Sequence, residues 1–280
     1  MEEVIKVKDL FDLTGKVAVI TGGGGLLGEK HAEALAEFGC RIVLIDIVET
    51  KAKKAAENVK NNFNSETYSY KCDITKKKEV EMVRDIIIDK FGRIDILINN
   101  AAIDPKVDNS GAEVSFSRLE FFGIDQWNKE ISVGLSGAFL CSQVFGYAMV
   151  KNGKGVIINI SSDLGIIAPD QKLYRKEGEP EEKQPVKPVT YSVIKHGLIG
   201  LTKYLATYWA AKGIRANTLC PSGVFTNQPD EFVKKISSLI PLGRMANINE
   251  YKAAIVFLAS DASSYINGST LIIDGGRTIW

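Results

Sequence analysis

Tyr191 and Lys195 stand one helical turn apart in the stretch TYSVIKHGLIGLTKYL, so on a helix both side chains share a face. A free tyrosine has a pKa of about 10 and is a poor base at neutral pH. An ammonium beside it stabilises the phenolate and makes proton exchange with a substrate oxygen practicable. Ser162, at the end of GVIINISS, can hydrogen-bond the same oxygen. Such a trio suits chemistry at an alcohol or carbonyl oxygen. A lone Tyr-x-x-x-Lys pair is common by chance, so its meaning depends on what surrounds it.

A second constellation lies near the start, where TGGGGLLG follows the apolar run VAVIT and opens an amphipathic stretch. Gly23, Gly25 and Gly28 have GxGxxG spacing, which permits a tight turn, close approach of backbone to a pyrophosphate, and phosphate binding at a helix N-terminus. The next apolar run, RIVLID, ends in Asp46. A carboxylate there accepts hydrogen bonds from the adenosine ribose of NAD and repels the extra phosphate of NADP. With no Arg or Lys in the glycine turn or directly after Asp46, the expected cofactor is NAD; the plainer alternative is a surface Asp capping the next helix.

These residues need a scaffold that brings distant segments together. Short β-branched runs at Val17–Thr21, Arg41–Asp46, Thr67–Cys72, Ile94–Asn99, Gly155–Ser161, Arg215–Leu219 and Thr270–Ile273 alternate with amphipathic stretches. The latter are Leu27–Phe38, Glu49–Asn61, Lys77–Phe91, Asp125–Lys151, Tyr191–Lys212 and Asn249–Ser260. That alternation predicts an α/β fold, a doubly wound sheet of seven mainly parallel strands flanked by helices. No linker or repeat divides the chain, so residues 1–280 read as one domain. Two insertions break the rhythm, at about 104–123 and 167–188, each longer than the usual connection. The second carries half of the chain's eight prolines and many charges. It reads either as a solvated excursion or as a substrate lid in which Lys172 or Arg175 meets an anionic group.

Composition narrows the partners. With 35 basic and 34 acidic residues the net charge is +1, which gives no footprint for nucleic acid or an anionic membrane. A small molecule is the expected partner. The N-terminal residues lack the pattern of a secretory signal, and no uninterrupted apolar run reaches membrane-helix length. Cys40, Cys72, Cys141 and Cys220 sit in apolar stretches, as reduced thiols of a cytoplasmic protein do. Only His31 and His196 are present, neither at metal-ligand spacing, and no metal is expected.

Over nearly its whole length the sequence resembles the short-chain dehydrogenase/reductase family, through TGGGGLLG, LID, CDI, NNAA, NISS, YSVIK, IRANTLCPSG and INGSTLIIDGG. The resemblance implies a Rossmann-type fold and an NAD-dependent enzyme acting on CH–OH groups. Tyr191 would be the acid/base, Lys195 would hold the nicotinamide ribose and tune Tyr191, and Ser162 would orient substrate. It further implies cofactor contacts from Gly22, Gly25, Leu27, Asp46, Asp73, Ile74, Asn99, Ala101, Val224 and Thr226, and a substrate contact from Asp163. Asp73 would touch the adenine, Asn99 line the cofactor path and Thr226 reach the carboxamide. A homodimer or homotetramer through the two long helices is implied as well. More narrowly, NNAAIDPK, FTNQP and the DGG-x-TIW end resemble flagellin-modification protein A type oxidoreductases, associated with bacterial surface sugars.

Three departures qualify the resemblance. Leu26 replaces a glycine of the common spacing, so that Gly22, Gly25 and Gly28 follow the pattern of an extended, sugar-nucleotide-modifying branch. That branch carries a further C-terminal substrate domain, whereas this sequence ends just after DGG. The insertion sets Ser162 unusually far from Tyr191. Gly134 stands where many relatives have an Asn that holds a proton-relaying water. The relay then runs through backbone and water, or turnover is slowed, or the protein is a silent NAD-binding scaffold or sensor. A general ketoreductase acting on a less polar compound is the other alternative to an enzyme of sugar derivatives.

Overall fold

The computed structural model describes residues 5–103 and 117–280; most of the first expected insertion, residues 104–116, lies outside the described residues. Seven strands form one sheet: β1 (Val17–Thr21), β2 (Arg41–Asp46), β3 (Thr67–Lys71), β4 (Ile96–Asn99), β5 (Gly155–Ile160), β6 (Ile214–Pro221) and β7 (Thr270–Ile273). Their order is β3-β2-β1-β4-β5-β6-β7, and every pairing is parallel, where mainly parallel was expected. A parallel sheet covered on both faces needs strands apolar on both faces. Accordingly β1 is buried throughout, with Ala18 and Ile20 facing one layer and Val17 and Val19 the other.

The first layer contains α1 (Leu26–Glu37), α2 (Glu49–Phe63) and α7 (Lys252–Ala259), packed through Leu35, Val59 and Ile255. The opposite layer contains α3 (Lys77–Phe91), α4 (Ile124–Asn152) and α5 (Val189–Tyr208), packed through Ile87, Phe145 and Leu205. By length and composition α4 is apolar enough to cross a bilayer, yet over half of its most apolar window is buried against the protein, as in a core helix. Within α4 the residues Ser132–Ser136 form a π-helical turn, with Gly134 at its middle. A further helix, α6 (Asp230–Ser237), was not expected. Its signal is local: Pro229 directly precedes it and Asp230 and Glu231 occupy its first turn.

Other boundaries shift modestly. β3 stops at Lys71 and β4 begins at Ile96, while β6 extends to Pro221. The helix expected to run through Lys212 ends at Tyr208 and gives way to a separate turn at Ala210–Lys212.

A buried polar chain crosses beneath the sheet. Asn99 donates to Ser142 Oγ at 3.0 Å and Asn159 Oδ1 at 2.8 Å, Asn159 donates to Thr202 Oγ1 at 2.8 Å, and Thr218 donates to Thr202 at 2.7 Å. Each bond satisfies a group that burial would otherwise leave costly. Together they register β4, β5 and β6 against α4 and α5, the elements that carry the site.

Candidate active site

The switch in strand order between β1 and β4 opens a crevice at the carboxyl ends of the strands, where open α/β sheets bind ligands. Here it is a cleft of about 1360 Å³. Gly22, Gly25, Leu27, Asp46, Asp73, Ile74, Ala101, Ser162, Asp163, Arg175, Tyr191, Lys195, Val224 and Thr226 all line it.

At one end lies the glycine turn. Gly22 adopts φ +61°, and a Cβ there would meet Ala101 Cα at 2.8 Å, so both conformation and contact require glycine. A Cβ on Gly24 would meet Lys51 Cβ at 2.6 Å. Asn100 braces the turn, donating to the carbonyls of Thr21 and Gly22 at 3.0 and 3.1 Å. Asp46 braces it from β2, accepting the Gly24 N–H at 3.1 Å through Oδ2 and the Val48 N–H at 2.9 Å through Oδ1. A carboxylate offers about four acceptor positions, so capacity remains for ribose hydroxyls. Asp73 accepts from the Thr75 N–H and hydroxyl at 3.0 and 2.7 Å. Burial alone would raise its carboxyl; the Thr75 and Lys76 hydrogen bonds outweigh that and hold it below the usual range. A turn cleared of side chains, opening the N-terminus of α1 and flanked by Asp46, fits a dinucleotide.

At the other end, Tyr191 and Lys195 share a face of α5, with the Lys195 ammonium 5.6 Å from the Tyr191 ring centroid. Lys195 is buried and donates to the Ile160 carbonyl at 2.9 Å, which fixes its head beside the end of β5. Ser161 closes the link from β5, donating to the Lys195 carbonyl at 2.7 Å. The start of α5 is held by Thr190, whose hydroxyl donates to the buried carboxylate of Glu130 on α4.

Several expected contacts are corrected. Asn99 does not line the cleft, because strand alternation points it into the buried polar chain; Asn100 and Ala101 line it instead. Asp163 lines the cleft, but its carboxylate is engaged by Ser162, Ser222 and Arg277 rather than left for substrate. Lys172 is exposed and is not among the lining residues. Arg175 does reach the cleft, where it pairs with Glu181 at 2.8 Å, both side chains more than half exposed. Surface pairs of this kind contribute roughly 0–1 kcal/mol.

Residues 167–188 form two short turns, Gln171–Tyr174 and Glu181–Lys183, tied together by Gln184, which bonds the Lys176 N–H and the Lys176 and Glu179 carbonyls. Leu173 packs on Ile236 of α6 and on Met245, so the insertion and α6 together build the outer wall. The insertion lines the cleft, as the lid alternative expected, but sequence reasoning missed α6 and did not single out Tyr174, Lys176, Phe232 and Lys187. The Lys187 ammonium lies 3.9 Å from the Tyr191 ring centroid, a contact that nothing in the local pattern signals.

Gly134 faces α5, where an added Cβ would lie 2.7 Å from Ile194 Cγ2 and 2.9 Å from Cδ1. The missing side chain is therefore matched by Ile194, which occupies its space. Cys72 lines the cleft, but burial, reinforced by the charges of Glu79 and Asp73, pushes its thiol up to about 12, so it stays neutral and is no nucleophile.

Comparison with known proteins places this geometry. Residues 16–174 match the short chain dehydrogenase family, and residues 181–278 match a family described as Enoyl-(Acyl carrier protein) reductase. A D-threitol dehydrogenase from Mycolicibacterium smegmatis is 33% identical over 96% of this chain and 95% of its own length. An NAD-dependent glycerol dehydrogenase from Listeria innocua is 34% identical over 96% of each. Among solved structures, a gluconate 5-dehydrogenase from Burkholderia cenocepacia in complex with NADP and tartrate has a TM-score of 0.84 at 31% identity, covering 98% of this chain and all of that one.

Proposed function

The chain belongs to the short-chain dehydrogenase family, and from that premise we propose that it uses NAD to interconvert a secondary alcohol and a ketone on a polyol or sugar derivative. The observation that carries the proposal is the meeting of Tyr191, Lys195 and Ser162 in the same cleft as the glycine turn and Asp46. Relatives named for threitol and glycerol support a small polyhydroxylated substrate. The short motifs NNAAIDPK and FTNQP extend the proposal to sugar derivatives of bacterial surface glycans.

Gly22 to Leu27 would hold the pyrophosphate, Asp46 the adenosine ribose, Asp73 and Ile74 the adenine side, and Val224 and Thr226 the nicotinamide end. When bound, the nicotinamide supplies a hydride acceptor. In the oxidative direction Tyr191, as phenolate, takes the proton of the substrate hydroxyl while the carbinol carbon loses a hydride, leaving a ketone. Lys195 stabilises that phenolate, and its bond to Ile160 prevents the ammonium from swinging away. Ser162 holds the substrate oxygen in line with Tyr191.

A dimer or tetramer is proposed through α4 and α5, on whose outer faces Phe139, Tyr147, Tyr204 and Tyr208 are exposed. The function is tested by following NADH formation with a panel of C3 to C6 polyols and aldonic acids, with NAD and with NADP. Turnover of a polyol or sugar acid with NAD is the expected result; activity confined to apolar ketones would replace this reading with the general ketoreductase.

A further inference from the structure

We propose that Lys187 is a positioning residue for Tyr191: its ammonium lies against the tyrosine ring and, with Lys195, stabilises the phenolate. The proposal rests on Tyr191 acting as acid/base as described above. Lys187 Nζ is 3.9 Å from the Tyr191 ring centroid, closer than Lys195 Nζ at 5.6 Å. The two cations arrive from different elements. Lys195 lies one turn along α5, whereas Lys187 precedes that helix near the end of the insertion, and both line the cleft beside Tyr191. The charge of a phenolate is spread over its oxygen and ring, so a cation against the ring attracts the phenolate more strongly than the neutral phenol. The proton therefore leaves Tyr191 at lower pH.

The backbone of Lys187 is braced so that its half-buried side chain reaches the ring. Its N–H donates to Gln171 Oε1 at 2.9 Å, and Gln171 Nε2 donates back to its carbonyl at 3.4 Å. The neighbouring Val186 N–H donates to Ser117 Oγ at 3.4 Å. Pro185 and Pro188, on either side, are buried and fix the local φ. The Pro188 carbonyl then accepts the Tyr191 N–H at 3.2 Å, so the braced segment runs directly into the first turn of α5.

Other charged groups surround Tyr191. Lys129 and Glu130 lie on α4, Glu130 buried and bonded to Thr190. Asp163 after β5 is paired with Arg277, Arg175 with Glu181 inside the insertion, and Lys235 on α6 with Glu231. Lys176 lines the cleft from the insertion. Among the described residues, Lys187 and Lys195 are the two that bring a cation over the Tyr191 ring. The Lys195 ammonium is also bonded to the Ile160 carbonyl, so its charge is shared and a second cation adds to it.

The test uses the protein loaded with NAD and two readouts. In an ultraviolet titration of tyrosinate, the signal that disappears in Tyr191→Phe belongs to Tyr191. Lys187→Met should raise its midpoint by roughly one pH unit, the low end for an adjacent opposite charge because solvent screens a half-buried lysine. Lys187→Arg keeps the cation and should stay within about 0.3 unit of wild type. In kcat/KM for oxidation of D-threitol, with D-gluconate as an anionic probe, the limb that rises with pH should shift upward in Lys187→Met by the same amount. The loss is then about tenfold on the acid side and fades as pH rises. An unshifted midpoint, or a loss equal at every pH, overturns the proposal; so does a loss confined to D-gluconate, which would make Lys187 a substrate clamp. If Lys187→Met does not fold, as judged by Tm, Lys187→Gln removes the charge and is held to the same outcomes. A shifted midpoint in a protein that oxidises no alcohol upholds the action of Lys187 on Tyr191 and fails the proposed function; an unshifted midpoint in a protein that oxidises polyols does the reverse.

Discussion

Asp46 accepts the backbone N–H of Gly24 across a gap of 22 residues, so the carboxylate proposed to select NAD also ties the glycine turn to the end of β2. One side chain therefore shapes the turn and faces the cleft. Calorimetry should find NAD bound more tightly than NADP. Asp46→Ala should narrow that difference and also weaken NAD binding by about 10- to 100-fold, since the turn loses an anchor bonded to a charged group. Equal affinities in the wild type would defeat the assignment of NAD.

Tyr191→Phe should lower kcat by about 10²- to 10⁴-fold, the usual scale of a lost acid/base group, with NAD affinity nearly unchanged. Lys195→Ala should harm NAD binding and turnover alike. It should also lower Tm, because the Ile160 carbonyl loses its buried donor, a defect of about 1–3 kcal/mol. Retention of most activity by Tyr191→Phe on a verified substrate would remove the tyrosine from proton transfer.

Gly134→Asn introduces the residue that the family resemblance implies at this position, yet the structure predicts a worse protein. Ile194 is buried against Ala138 and Leu198 and cannot move aside freely. The substitution should destabilise by about 1–3 kcal/mol through overpacking and should not speed turnover. Adding Ile194→Ala should recover part of the loss, which thermal unfolding of the single and double variants would reveal. A faster, equally stable Gly134→Asn protein would show instead that the relay was degraded for want of that side chain.

His31 is buried in α1 with neither ring nitrogen hydrogen-bonded among the described residues, and burial lowers its pKa to about 3. The unfolded chain takes up the proton near 6.5, whereas the folded chain resists it until about 3. The unfolded state therefore binds more protons in this window, and stability falls as pH drops from 6.5 toward 3, by about 1.4 kcal/mol per unit. Between pH 7 and pH 5 the wild type should lose about 2 kcal/mol more than His31→Leu in denaturant unfolding. Parallel pH profiles for the two proteins would show that His31 finds a proton acceptor or water in the folded state.

The sequence by itself determined what depends on neighbours along the chain. Short β-branched apolar runs specified the strands, and amphipathic stretches specified α1 to α5 and α7. Tyr191 and Lys195 fell on one face because a helix turn separates them, and TGGGGLLG after a strand identified the turn whose glycines the packing demands. Those features follow from backbone geometry and local hydrophobicity, which adjacent residues record. Tertiary structure decided which partner each polar group found. Asn99 was drawn into a buried chain with Ser142 and Asn159. Asp163 was claimed by Arg277, 114 positions away. A buried polar group takes whatever donor or acceptor the strand order brings within 3 Å, and strand order is a property of the folded sheet that no local window of sequence contains.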